Sequence, residues 1–331
     1  MKNNGGRLVI IILSLMCIIY LCALRFSYEK SDKSLMSKDT KPYVAVITKS
    51  TQSAYWKTTF AGAKAAGAEY NLELSFQGPE REEDFKTQNE MIHEAVEKGA
   101  KVIVFSAVDY HDNAEAINRA IDKDAKVVVI DSDVESEKVS CRISTDNYKA
   151  GQMVADALLK GEDKKLKVGI VNFDVNTENG QKREQGFRDS VAMANNVEIV
   201  SSINVNSTID DAKEGTIAML EENPQINAIV TFNEWTSLGV GYAIRELKLK
   251  DKAKVVAFDS NIISVGMLET GEVDALIVQN PYAMGYLGVE YAAKLINGDK
   301  IEKDTIDTTT TLITRENMFT PDNQKVLFSF E

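Results

Sequence analysis

From Pro42 onward the chain alternates short β-branched apolar runs with longer amphipathic stretches. The runs fall at 43–48, 72–76, 101–106, 126–130, 139–144, 167–173, 197–203, 227–232, 254–258, 274–279 and 308–314, and each is short enough to be a strand. Helical spacing of apolar positions marks the stretches near 55–70, 83–98, 112–123, 148–160, 180–194, 208–222, 234–247, 261–270 and 282–296. Strands alternating with helices of this length predict parallel sheets wound by right-handed crossovers. No Gly/Pro-rich linker divides the body. The chain is therefore expected to pass between two lobes through continuing strands, giving an α/β protein of two doubly wound parallel-sheet lobes joined by a three-strand hinge. The expected boundaries are 42–145 plus 280–307 for the first lobe and 146–279 plus 308–331 for the second, with crossings near Thr145, Gln279 and Asp307.

In an open parallel sheet the ligand edge is the one formed by the strand carboxyl ends, where turns project side chains and free N–H groups into a crevice. Several runs end there in polar or aromatic residues, most plainly KVVAFDS at 254–260 and DALIVQNP at 274–281. Candidate chemistry is thus sought at strand ends.

The N-terminal segment breaks the alternation. Leu8 to Leu24 is apolar except for Ser14 and Tyr20 and is flanked by Arg7 and Arg25. That length meets the lower limit for crossing ~30 Å of hydrocarbon and exceeds the apolar region of an ordinary signal peptide. No small-x-small cleavage site follows, and Met16 and Leu21 precede Cys17 and Cys22 where lipoprotein sites carry small residues. Residues 1–25 therefore read as a retained membrane anchor, with a cleaved signal or atypical lipoprotein as the alternative. The polar, Ser/Lys-rich residues 26–41 read as a tether. Lys and Arg on the two sides of the span do not fix its orientation; only the functional argument places the body outside the cytoplasm.

Composition narrows the classes. Of 331 residues 44% are hydrophobic, enough for two cores, and 38 Lys+Arg against 50 Asp+Glu leave a net charge of −12. Such a surface repels phosphate backbones, which argues against nucleic acid as a partner. Cys141 alone lies in the body, so neither a disulfide framework nor a Cys-rich metal site is available. No nucleophile motif, phosphate-binding loop or zinc spacing is present. His93 falls in a helix pattern and His111 in a loop, both read as solvated. An enzyme would need an acid–base pair in the cleft; Asp131 and Asp259 could be imagined as one, but no other feature calls for catalysis. No cofactor and no metal is expected.

The blocks VAVITKSTQSAYWKTTFAGA (44–63), KVVVIDSD (126–133), ISTDNYKAG (143–151), GQKREQGF (180–187), NAIVTFNEWTSLGVG (227–241), VVAFDS (255–260) and ALIVQNP (275–281) stand in an informative order and spacing. In them the chain resembles the type I periplasmic sugar-binding proteins, the ribose/xylose/allose-binding group, over about 42–318. The repressors that share the fold carry a helix-turn-helix where this chain has its apolar span. The resemblance implies ligand positions at Lys49, Tyr55, Trp56, Asp131, Gln181, Asn233, Asp259 and Gln279. A pyranose has two apolar faces and a hydroxyl edge, so aromatic rings beside carboxylates and amides suit it. Ser132 stands where ribose binders carry an Arg, and Gln181 where a second Arg is usual, which places xylose or a related pentose or hexose ahead of ribose. Structural roles stay open beside these: capping for Asp131, Asn233 and Asp259, bracing of the hinge for Gln279, core packing for Tyr55 and Trp56, and solvation for Lys49. Asp146 and Asn147 read as hinge structure.

The resemblance also implies the partners. One reading is a membrane-anchored co-sensor on the extracytoplasmic side of the cell membrane, presenting its closed lobes to the extracytoplasmic domain of a sensor histidine kinase. The other is the substrate-binding component of a sugar ABC transporter, delivering ligand to a permease.

Overall fold

The computed structural model describes Tyr20 and residues 41–328. The span at 8–24, apart from Tyr20, and the tether at 26–41, apart from Lys41, lie outside the described residues. Pro42–Glu331 is one compact unit. Its elements run β1 (Tyr43–Ile47), α1 (Ala54–Glu69), β2 (Glu73–Gln77), α2 (Phe85–Glu97), β3 (Val102–Phe105), α3 (Ala114–Asp122), β4 (Lys126–Ile130) and β5 (Cys141–Thr145). They continue with α4 (Asn147–Leu159), β6 (Leu166–Asn172), α5 (Glu178–Val191), β7 (Val197–Asn204), α6 (Ile209–Glu222), β8 (Ala228–Thr231), α7 (Glu234–Glu246), β9 (Lys254–Phe258), α8 (Ile262–Thr270) and β10 (Ala275–Val278). The chain closes with α9 (Pro281–Asn297), β11 (Thr305–Thr308), β12 (Thr311–Thr314) and α10 (Pro321–Leu327).

Two six-stranded sheets result, ordered β11-β5-β4-β3-β1-β2 and β12-β10-β9-β8-β6-β7. All pairings are parallel except β10 with β12. Every residue of β3, β8 and β10 is buried, as expected of strands covered by helices on both faces. The edge strand β7 instead has only half-buried and exposed positions. Side-chain caps start seven of the helices: Ser53, Asp84, Asp146, Thr208, Asn233, Asn261 and Asn280 each accept a first-turn backbone N–H.

The chain crosses between the sheets three times. After β5, α4 packs Ala150 and Val154 against Val168 and Val230 of the second sheet. After β10, α9 returns Val289 and Ala292 to Val44 and Val104 of the first. Between β11 and β12 only Thr309 and Thr310 intervene. The strand read at 308–314 corresponds to β12 in the second sheet, and β11, ahead of it in the first sheet, was not among the expected strands. The crossing expected near Asp307 falls two residues later, in a run of threonines whose uniform β propensity does not fix its place. Helix α10 also falls outside the expected elements, although Pro321 at its first position is a start signal.

Each crossing helix meets a partner through glycines. A Cβ at Gly285 of α9 would lie 1.9 Å from the Thr59 carbonyl oxygen of α1, and one at Gly62 would lie 2.0 Å from that of Tyr282. The second lobe repeats the device: Gly151 of α4 and Gly186 of α5 face the carbonyls of Arg183 and Tyr148, each at 2.0 Å. Backbone meets backbone at both places, and this fixes the first turns of α1 and α5, where the cleft residues sit. Gly186→Ala should therefore force these helices apart and cost roughly 1–3 kcal/mol. Gly266→Ala, in α8 with nothing within 4 Å, should be neutral or stabilising by up to about 1 kcal/mol. Denaturant unfolding checks the pair; equal effects would contradict the close-approach account.

Candidate functional site

The carboxyl ends of both sheets face one cavity, which encloses about 310 Å³ of free space, its mouth included. The enclosed part that water can occupy is only about 30 Å³, so a ligand enters when the lobes part. Lys49, Tyr55, Trp56 and Asp131 from the first lobe and Asn233, Asp259 and Gln279 from the second line it. Ser53, Glu82, Phe173, Asn179, Arg183, Glu234 and Trp235 complete the wall.

Two aspartates occupy equivalent places. Asp131 follows β4 and donates its N–H to the Ile143 carbonyl; Asp259 follows β9 and donates to that of Ile277. Each thus extends the ladder by one residue and then turns with positive φ, +60° and +64°. Asp tolerates that left-handed conformation better than most residues, and it swings both carboxylates across the strand ends. Asp131 accepts from Tyr55 Oη at 2.9 Å, Ser106 Oγ at 3.1 Å and, from the other lobe, Asn179 Nδ2 at 3.3 Å. Burial, followed by the Asp131 charge, pushes the Tyr55 phenol well above its ordinary range, so it stays a donor.

Asp259 has a different set of neighbours. Gln279 Nε2 donates to its Oδ1 at 2.7 Å, and Oδ2 has no hydrogen bond among the described residues. Burial raises its carboxyl to about 7, against the opposing effects of Arg183 and the Gln279 bond. The Arg183 guanidinium, 1% exposed, stacks 4.3 Å from the Phe258 ring centroid. It donates to Asn147 Oδ1, the Phe232 carbonyl and Gln279 Oε1 at 2.9, 2.7 and 2.7 Å. Thr145 Oγ1 donates to that same Gln279 oxygen at 2.8 Å. Gln279 therefore braces the hinge and lines the cavity at once. Asn147 turns out to hold Arg183.

On the first-lobe side, Trp56 Nε1 donates to Glu82 Oε1 at 2.8 Å, and Trp56 meets Tyr55 edge to face with centroids 4.9 Å apart. Lys49 is buried, not solvated; its Nζ lies 3.8 Å from Glu82 Oε2 and 4.9 Å from the Phe173 ring centroid, with no hydrogen bond among the described residues. Asn233 both caps α7 and lines the cavity. Asp259 is not the cap of α8, a place taken by Asn261. Glu234, pushed up by burial, accepts from the Tyr55 N–H across the lobes at 3.1 Å and from Asn261 Nδ2 at 2.7 Å.

Gln181 does not reach the cavity. It is exposed and bonds the Val175 carbonyl. Two helical residues turn the chain by about 200°, so Arg183, not Gln181, points inward. This corrects the reading of that block: the second lobe does supply a buried arginine, and one of the two grounds for ranking ribose low disappears. Asn179 and Arg183, at i and i+4 on one helix face, were a legible pair. Glu82 was not; it sits in the run PEREED, which reads as a solvated acidic loop. His93 and His111 are both exposed, and among the described residues no group of His, Cys, Asp and Glu could hold a metal ion.

A family model described as "Periplasmic binding protein domain" matches residues 44–300. The chain is 28% identical over 285 residues to a D-ribose/D-allose-binding protein of Pseudomonas aeruginosa, covering 83% of this chain and 89% of that protein. Among solved structures it is similar to a carbohydrate transporter solute binding protein of Agrobacterium radiobacter in complex with D-arabinose, with TM-score 0.84, 28% identity and coverage of 88% and 100%. It is also similar to a chain of the XylFII-LytSN complex, with TM-score 0.78, 26% identity and coverage of 83% and 98%. These relatives are binding proteins and not enzymes, and this chain, with the same two-lobed α/β fold, belongs to the periplasmic binding protein family.

Proposed function

We propose that the chain is an extracytoplasmic receptor for a neutral aldose of five or six carbons. The observation that carries this reading is the set of groups left unspent around the cavity. Lys49 Nζ offers three N–H donors, Asp259 Oδ2 an acceptor, and the guanidinium of Arg183 has five N–H groups of which three are used. Aromatic rings stand beside them, and both lobes contribute. A small polyol with apolar ring faces satisfies all of these together. The ligand-binding roles of Lys49, Tyr55, Trp56, Asp131, Asn233, Asp259 and Gln279 belong to this proposal, with Arg183 in place of Gln181. Xylose, ribose, allose and arabinose are the aldoses to compare. The names of the relatives include ribose, allose and arabinose; xylose comes from the sequence resemblance.

Calorimetry with the full-length chain tests the reading. At least one of the four aldoses should give a saturable heat, and Trp56→Ala and Asp259→Ala should each weaken binding by about 1.5–3 kcal/mol, the scale of a lost aromatic face or a buried charged hydrogen bond. No heat with any aldose, or full affinity in both variants, would sink it.

A second reading concerns what the loaded receptor meets. The family also serves transport, and a permease partner fits the similarity to a transporter solute binding protein. We favour a receptor retained at the membrane by residues 8–24 and acting on a sensor histidine kinase. The uncleavable-looking span supports this, as does the similarity to a protein that forms a complex with LytSN. A tether of about 15 residues would raise the effective concentration toward a membrane partner, so that a weak sugar-dependent interface suffices. Among the described residues no helix is long and apolar enough to cross a membrane, so the span itself must be tested. Membrane fractionation with N-terminal mass analysis should find an unprocessed start, and the sugar-loaded protein should co-purify with a sensor kinase. A mature start near Ala23, an acylated Cys17 or Cys22, or capture of a permease alone would favour transport.

A further inference from the structure

Outside the cavity wall, Ser207 stands where the two lobes touch. It lies in the turn between β7 and α6 of the second lobe and is 6% exposed. Its Oγ donates to Glu82 Oε2 at 3.0 Å and accepts from Asn233 Nδ2 at 2.6 Å. Its backbone N–H donates to Glu83 Oε1. Glu82 in turn holds Trp56 and faces Lys49. One hydroxyl therefore joins a cavity residue of the first lobe to a cavity residue of the second without lining the cavity itself.

We infer that Ser207 is a positioning residue for ligand binding: with Glu82 and Glu83 it forms a latch that closes the lobes and fixes Trp56 and Asn233 against the ligand. The bonds to Glu82 and Glu83 exist only when the lobes meet, so they add to the closed state and to no other. Hydrogen bonds to carboxylates are stronger than neutral ones, and here they lie away from bulk water. Glu83 Oε2 is buried without a hydrogen bond and faces the exposed Arg81, whose Nε lies 3.6 Å away. Ligand contacts made with both lobes add to the same closed state. This inference rests on the cavity being the sugar site, but its structural half can be tested without sugar.

The experiment uses the full chain as wild type, Ser207→Ala, Ser207→Thr and Glu83→Ala. In sugar-free protein, hydrogen exchange over residues 205–208 should be about tenfold faster in the two alanine variants, the effect of one lost hydrogen bond, with residues 228–231 of β8 unchanged. The threonine variant, which keeps the hydroxyl, should exchange like wild type. Both tryptophans, Trp56 and Trp235, line the cavity, so stopped-flow tryptophan fluorescence can follow release of xylose, ribose, allose or arabinose. Release from the alanine variants should be about tenfold faster, with association changed less, as is usual when interface contacts are lost. Unchanged exchange at 205–208 overturns the latch, and so does failure of threonine to rescue. Faster exchange with unchanged release overturns the positioning role. If wild type binds none of the four sugars, the sugar reading fails while the exchange data still decide the latch.

Discussion

A guanidinium 1% exposed is tolerable only if its donors are met, because an unpaired buried charge is among the most destabilising features a fold can contain. Arg183 meets this demand with residues that sit at the lobe crossings. Asn147 follows the first crossing, and Gln279 directly follows the strand that leads to the second. Gln279 then carries the connection to Asp259 in the cavity and to Thr145 at the end of β5. The angle between the lobes and the geometry of the binding groups are therefore set by the same side chains. A ligand that engages Asp259 or the spare N–H groups of Arg183 acts on the hinge without any further relay.

The glycine crossings explain how that arginine reaches its place. Gly186 and Gly151 bring α5 and α4 into backbone contact, which puts the first turn of α5 beside the residue that follows the first crossing. The first lobe uses Gly62 and Gly285 in the same way to seat Tyr55 and Trp56. Two lobes of different sequence thus solve one problem alike. Each presents polar groups at the strand ends from a helix whose position is fixed by close approach and not by bulky side chains.

Much of this was legible in the sequence because local rules dominate there. Buried parallel strands read as continuous apolar runs, and amphipathic spacing marked the helices between them. Asp131, Asn233, Asp259 and Gln279 came from the resemblance, and each stands within two residues of a strand end, where the topology gives a residue its direction. Gln181 failed because helix phase, which one residue of misalignment destroys, decides which side chain faces the cleft. Glu82 and Ser207 were invisible for another reason. Loop residues gain their roles from contacts across 125 positions of sequence, and a charged run carries no sign of which carboxylate will be buried. The third crossing was placed near Asp307, two residues early, and β11 was missed, because the threonines there suit either strand.

The central claim is that a neutral aldose sits between the lobes on the groups left unspent by the Arg183 network. A crystal structure of the protein grown with the aldose of highest affinity tests it most directly. The account predicts the sugar in the cavity, with a hydroxyl within about 3.2 Å of Asp259 Oδ2 and another within reach of Lys49 Nζ, and with Arg183 still bonded to Asn147 and Gln279. A sugar bound elsewhere, or one in the cavity that leaves both Asp259 and Lys49 untouched, would contradict it.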